Sequence, residues 1–146
     1  MNDLVGPTRY HWIDFAAFWP NVKVALYGPI GLERGVTITY DDFLKIDIRV
    51  GTVVDAQPYP EVQRPAYKLW VDFGDDIGIK KTSAQITHYY DLETLPGRQV
   101  AAVVNFPPKQ IGKFMSEVLV VGFPDADGAV VMLGVDHPIP NGGRLF

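Results

Sequence analysis

The stretch YKLWVDF, residues 67–73, alternates without a break: Tyr67, Leu69, Val71 and Phe73 fall on one side and Lys68, Trp70 and Asp72 on the other. A strict period of two over seven residues fits a β-strand with one buried face and no helix. The chain is therefore committed to a sheet with its core on one side. The neighbouring segments agree. DIRVGTVVD, residues 47–55, has the same period with Ile48, Val50 and Val54 on one face, and the loop 56–65, with three prolines, ends it. Residues 74–76 turn the chain into a third strand at 77–81, the second half of a hairpin. Valine-rich segments at 98–106, 117–123 and 129–135 read as three further strands, the last two joined by the turn Asp125-Ala126-Asp127-Gly128. Between the third and fourth strands, Asp91, Leu92 and Leu95 before Pro96-Gly97 predict one or two turns of helix. Thr39 and Asp42 stand at capping-box spacing before Phe43, Leu44 and Ile46, which predicts a brief helix over about 40–45.

Short, numerous strands interrupted once by a small helix describe an all-β domain: a five-stranded Greek-key barrel of the OB type over residues 37–146, with an N-terminal helical turn and an extra C-terminal hairpin. The turn-like tail 136–146 must lie on something to be ordered. Barrels of this type meet ligands on the face of strands two and three and in the loops between strands one and two and strands four and five. Here that face carries Lys68, Trp70 and Lys80, and the second loop is residues 105–116. The chain has a net charge of −4, so contact with nucleic acid has to come from cations gathered locally, and the pairs Lys80–Lys81 and Lys109–Lys113 are so gathered.

Residues 1–36 differ in character. Trp12, Phe15, Phe18 and Trp19 recur at helical spacing until Pro20 stops the pattern. Asp14, Lys23, Gly28 and Pro29 interrupt the apolar content, which argues against both a signal peptide and a membrane span. A packed extension, a partner-binding arm and a start codon assigned too early are the three readings, and we favour the last because the regular pattern begins just after Val36. The absence of cysteine removes disulfides, zinc–thiolate sites and thiol nucleophiles; nothing suggests an oxidising compartment, and a soluble cytoplasmic protein is the expectation. Catalysis has no motif to carry it. His11, His88 and His137 are isolated, Ser83 and Ser116 lie outside any nucleophile elbow, and no glycine-rich phosphate loop joins a strand to a helix. We therefore expect no metal, no cofactor and no enzyme activity.

The runs DFLKIDIRVGTVVDA (42–56), RPAYKLWVDFG (64–74), IGIKKTSAQIT (77–87), VVNFPPKQIGKFMSEVLVVG (103–122) and PIPNGGRLF (138–146) together resemble the bacterial CsaA family, export-related chaperones built on the tRNA-binding domain also appended to methionyl-tRNA synthetases. The first 36 residues have no counterpart in that family. The resemblance implies a homodimeric OB-fold protein without catalysis that binds unfolded or pre-secretory polypeptides, with tRNA binding as its ancestry and a SecA-type secretion motor as a further partner. For polypeptide, Phe106, Pro107, Pro108, Ile111, Phe114 and Met115 would line an adaptable apolar groove. For tRNA, Lys80, Lys81, Arg98, Lys109 and Lys113 would neutralise phosphates, with Lys68, Trp70 and Asn105 on the same binding side and Trp70, Phe106 or Phe114 stacking an unpaired base. Blander roles stand beside these. Paired lysines protect a sheet edge from aggregation, Phe106, Phe114 and Met115 suit a core or a dimer interface, and Asn105 suits backbone capping in its loop. A purely structural dimer is the third alternative.

Overall fold

The computed structural model describes residues 37–146; the predicted helical spacing around Trp12 and the early-start reading of residues 1–36 lie outside them. Thr39 caps the first element, α1 (Tyr40–Leu44). Its hydroxyl accepts from the Asp42 amide while the Asp42 carboxylate accepts from the Thr39 amide, so the predicted capping box is closed on both sides. Among the described residues nine strands follow: β1 (Ile48–Pro58), β2 (Tyr67–Asp72), β3 (Ile79–Ala84), β4 (Gln99–Val103), β5 (Lys109–Ile111), β6 (Phe114–Ser116), β7 (Leu119–Val120), β8 (Gly122–Pro124) and β9 (Val130–Met132).

The main sheet is antiparallel in the order β3-β2-β1-β4-β7. Its two edges curl toward each other and are stitched where β6 leads into β7. There the Glu117 amide donates to the Lys81 carbonyl at 2.8 Å, the Lys81 amide to Glu117 Oε2 at 3.0 Å, and Thr82 Oγ1 to the Val118 carbonyl at 2.8 Å. The result is a nearly closed five-stranded barrel of the OB type. Val53, Leu69, Val71, Phe73, Leu95, Val100 and Ala102 fill it and are almost wholly removed from water. The β8–β9 pair is the expected C-terminal hairpin, turned by Asp125, whose Oδ1 accepts from the amides of Asp127 and Ala129.

Two expectations are corrected. The inward face of β1 was expected to carry Val54, but Val53 is the buried residue and Val54 is 46% exposed. Gly51 and Val53 are the positions of β1 that face the filled interior, so Val54 falls on the other side, and the register against β2 slips, at a β-bulge, only beyond Val53. The segment between β3 and β4 forms hydrogen-bonded turns, not a helix: Thr94 N and Thr94 Oγ1 both reach back to the Asp91 carbonyl, and Pro96-Gly97 closes the stretch before a second helical turn has room to form. The tail does lie on something. Gly142 N donates to the Val50 carbonyl, Val50 N to Gly143 and Leu145 N to Ile48, so it occupies the edge of β1 that β2 leaves free below Thr52. Asn141 Oδ1 accepts from Thr52 Oγ1 at 2.7 Å, and Gln99 clamps both the amide and the carbonyl of Ile139.

Gly51 is where this strand admits no side chain: an added Cβ would stand 2.6 Å from Val71 Cγ1 and 2.7 Å from Phe73 Cδ1, both in the filled interior. Gly51→Ala is expected to cost about 1–3 kcal/mol. For a domain of this size that lowers the melting temperature by several degrees in a calorimetric scan; an unchanged melting temperature would show that the interior yields at this point.

Candidate functional site: a lysine-flanked aromatic face

The outer face of β2 and β3 is set by register. Trp70 stands opposite Lys81 and Lys68 opposite Ser83, so these four side chains share one face, whereas Lys80 stands opposite the buried Val71. The predicted Lys68–Trp70–Lys80 face is corrected accordingly. The expected turn at 74–76 would set Trp70 against Lys80, but the register is one residue later, which moves Lys81 to the position beside Trp70 and turns Lys80 to the other side of the sheet.

The β5–β6 hairpin folds over this face and delivers Phe114 onto it. The Phe114 ring lies edge-on to Trp70 and to Tyr59, each at 5.8 Å between centroids. Two ammonium groups bracket the cluster: Lys68 Nζ is 4.5 Å from the Tyr59 centroid and 5.8 Å from that of Phe114, and Lys81 Nζ is 5.4 Å from Phe114. Contacts of this kind stabilise by about 0.5–1 kcal/mol each at exposed sites and hold a cation against a ring without neutralising it. Among the described residues, none of Lys68, Lys80, Lys81 and Lys113 forms an ion pair; the carboxylate pairs belong to Lys45, Arg49 and Arg144. The Glu117 carboxylate, close by, accepts from the backbone amide of Lys81 instead. The face thus keeps its positive charge in an acidic chain.

Tyr59 is the residue that pattern reading missed. It is buried, its hydroxyl donates to the Ile111 carbonyl, and it ties the loop after β1 to the hairpin. Its signal in the sequence is a lone large aromatic between Pro58 and Pro60, in a loop too polar to cover it locally. Gly112 turns the hairpin at φ +56°, and a Cβ there would lie 2.6 Å from the Tyr59 hydroxyl oxygen, so glycine is required on both counts.

The remaining predicted residues disperse. In the β5–β6 hairpin Ile111 pairs with Phe114 and Gln110 with Met115, so Phe114 and Ile111 share one face while Met115 takes the opposite one. With Phe106, Pro107 and Pro108 exposed on the approach to β5, the six apolar residues split across the hairpin and do not line a single groove. An apolar cavity of about 150 Å³ lies elsewhere, between the β3 end (Ser83–Ile86) and residues 119–122, where the barrel is open. Arg98 stacks on Tyr90, with its guanidinium carbon 5.1 Å from the ring centroid, apart from the cluster. Asn105 is a backbone clamp: Oδ1 accepts from Asp47 N at 2.9 Å and Nδ2 donates to the Lys45 carbonyl at 2.7 Å, joining the β4 exit to the junction of α1 and β1 rather than capping its own loop. Lys113 is exposed at the hairpin tip. Lys109 lies in a polar cleft beside the hairpin, where burial holds its pKa below the ordinary lysine value. Among the described residues no three His, Asp or Glu side chains gather as a metal site, and no helix is long and apolar enough to cross a membrane.

A protein-family model described as "Putative tRNA binding domain" matches residues 48–144. The fold is shared with the chaperone CsaA of Bacillus anthracis, at 46% identity and a TM-score of 0.70 over 75% of this chain and 99% of that one. The CsaA chaperone protein of Picrophilus torridus is 50% identical, with a TM-score of 0.70 over 75% of this chain and the whole of that one (100%). A methionine–tRNA ligase of Methanocaldococcus jannaschii is 35% identical over 87% of this chain but only 19% of its own length, and one from Porphyromonas gingivalis is 34% identical over 64% of this chain and 13% of its own. The chain therefore spans a small fraction of those ligases and the full extent of the CsaA structures. By its match along the barrel strands and by its identity to complete CsaA chains, the protein belongs to the CsaA family, within the tRNA-binding domain family.

Proposed function

We propose that this protein is a non-catalytic molecular chaperone of the cytoplasm that holds unfolded or pre-secretory polypeptides on an OB-fold homodimer. The observation that carries this reading is the match to CsaA chaperones from end to end of those chains at 46% and 50% identity, where the ligases are matched only in a minor part. The surface suits the task. Exposed Phe106 and Met115, the Phe114–Trp70 cluster and the apolar cavity beside β3 offer several separated apolar contacts rather than one deep pocket, and that is what an extended chain of variable sequence can use. A secretion motor of the SecA type is the partner that such a client would be passed to.

We assign the homodimer interface to the α1 end of the barrel, on the apolar side chains gathered there. Ile38 and Tyr40 are more than 60% exposed, Leu44, Ile46 and Leu145 at least 40%, and Phe146 is 96% exposed. Arg144 Nη2 donates to the Leu44 carbonyl at 2.8 Å and so brings the tail against α1, gathering these side chains at one end. An apolar collection of that kind on a small domain calls for cover. Leu44→Asp with Phe146→Asp is expected to halve the mass found by light scattering while leaving the circular dichroism spectrum intact; an unchanged dimer would move the interface elsewhere.

The lysine-bracketed aromatic face favours a second reading, tRNA binding, because stacking rings flanked by unpaired ammonium groups match an unpaired base beside its phosphates. Lys68→Glu with Lys81→Glu is expected to weaken tRNA binding and to lower the slope of log affinity against log salt by about 1 per lysine. Binding of an unfolded polypeptide should change little. Equal loss for both ligands would show that a single surface serves both.

A further inference from the structure

The polar cleft next to the aromatic face enters the readings above only through Lys109. It holds about 580 Å³, within the range of small-molecule sites, and lies between the loop 61–66, the end of β3 and the β5–β6 hairpin. Its polar lining includes Gln63, Arg64, Ser83, Gln85 and Lys109, with Glu61 as its one carboxylate. Ser83 is 5% exposed, and its hydroxyl is a buried side-chain oxygen without a hydrogen-bond partner among the described residues. The adjacent Thr82 and Ser116 hydroxyls, by contrast, bond to each other and to the Val118 carbonyl. A buried hydroxyl left unpaired costs stability, and a binding site is one place where that cost is kept.

The position is as informative as the composition. Ser83 lies two residues along β3 from Lys81 on the same outer face, a step of about 7 Å, so the cleft opens one step beyond the stacking cluster. Side-chain amides carry a donor and an acceptor side by side, the arrangement that reads the edge of a nucleobase, and Arg64 and Lys109 supply charge for the attached phosphate. The Gln110 amide is already engaged, donating to the Gly112 carbonyl at 2.8 Å, which leaves Gln63 and Gln85 as the readers. The apolar cavity on the other side of the Ser83–Gln85 wall is the better place for the side chains of a polypeptide segment.

We propose that this cleft takes a single unpaired nucleobase, hydrogen-bonded by Ser83, Gln63 and Gln85, while the neighbouring base of the same strand stacks on Phe114 and Trp70. This rests on the tRNA-binding reading and adds to it a site that distinguishes bases. The test is fluorescence anisotropy with labelled eight-nucleotide single-stranded RNAs that vary at one position (A, G, C, U or abasic), against the full chain, Ser83→Ala and Gln85→Leu, with a reduced and carboxymethylated protein as the unfolded-polypeptide probe. The expected result is that one position discriminates among the bases, that an abasic residue there weakens binding about tenfold, roughly what losing one to two buried hydrogen bonds to a base costs, and that both variants erase the difference. Ser83→Ala should melt no lower than the parent, since the hydroxyl it removes is unpaired, so a binding loss cannot be ascribed to misfolding. RNA bound with equal affinity whatever stands at each position, and unaffected by the variants, overturns the proposal and leaves tRNA binding intact. RNA not bound even at low salt overturns both. Variants that weaken the unfolded polypeptide but not RNA assign the cleft to polypeptide and overturn the proposal as well.

Discussion

The barrel depends on β1 being shared. One strand of eleven residues pairs with β4 along its first half and with β2 along its second, and the C-terminal tail takes the edge that β2 leaves empty. Two local features allow it. Gly51 lets Val71 and Phe73 close over the backbone at the point where the partners change, and the bulge at Val54 adds the twist that turns a flat pairing into a closing one. Because β1 fixes β2, and β2 fixes β3 by register, the placement of Trp70 beside Lys81 follows from the same strand. The lysine-flanked aromatic face is in this sense a consequence of how β1 is paired.

The hairpin that covers the aromatic face is held largely by side chains, with one backbone bond from Glu117 to β3. Tyr59 reaches from the loop after β1 to the Ile111 carbonyl, Phe114 packs on Tyr59 and Trp70, and Glu117 ties the far end of the hairpin to β3. A rigid barrel carrying a cover anchored at few points fits the proposed binding of ligands of varied sequence.

Much of this was legible in the sequence wherever period two was unbroken. The alternation of 67–73 placed Leu69, Val71 and Phe73 inside, the capping box placed α1, and the Asp-Ala-Asp-Gly turn placed the last hairpin. Readings failed where no side chain marked the face or the turn. Gly51 takes an inward position without an apolar side chain to show it, so Val54 and Val53 exchanged roles, and a register one residue later than the expected turn exchanged Lys80 and Lys81. The candidate site was half legible for the same reason. Lys68, Trp70, Lys81 and Phe114 converge, but Tyr59 joins them from a proline-rich loop, and Asn105 binds residues some 60 positions away, a pairing that no local pattern encodes.

What the fold offers is one positively charged aromatic face and separated apolar contacts on a barrel that resembles CsaA chaperones along their full length. The charge alone favours RNA; the scatter of apolar surface and the kinship with those chaperones favour polypeptide. The measurement that decides most directly is anisotropy of a labelled, unfolded pre-secretory segment titrated with the full chain at physiological salt, with bulk tRNA as competitor. The account predicts saturable binding of the segment that persists at that salt and is only partly displaced by tRNA. A segment that stays free while labelled tRNA is bound, with an affinity that falls steeply as salt rises, would contradict it and make RNA the ligand for which this surface is built.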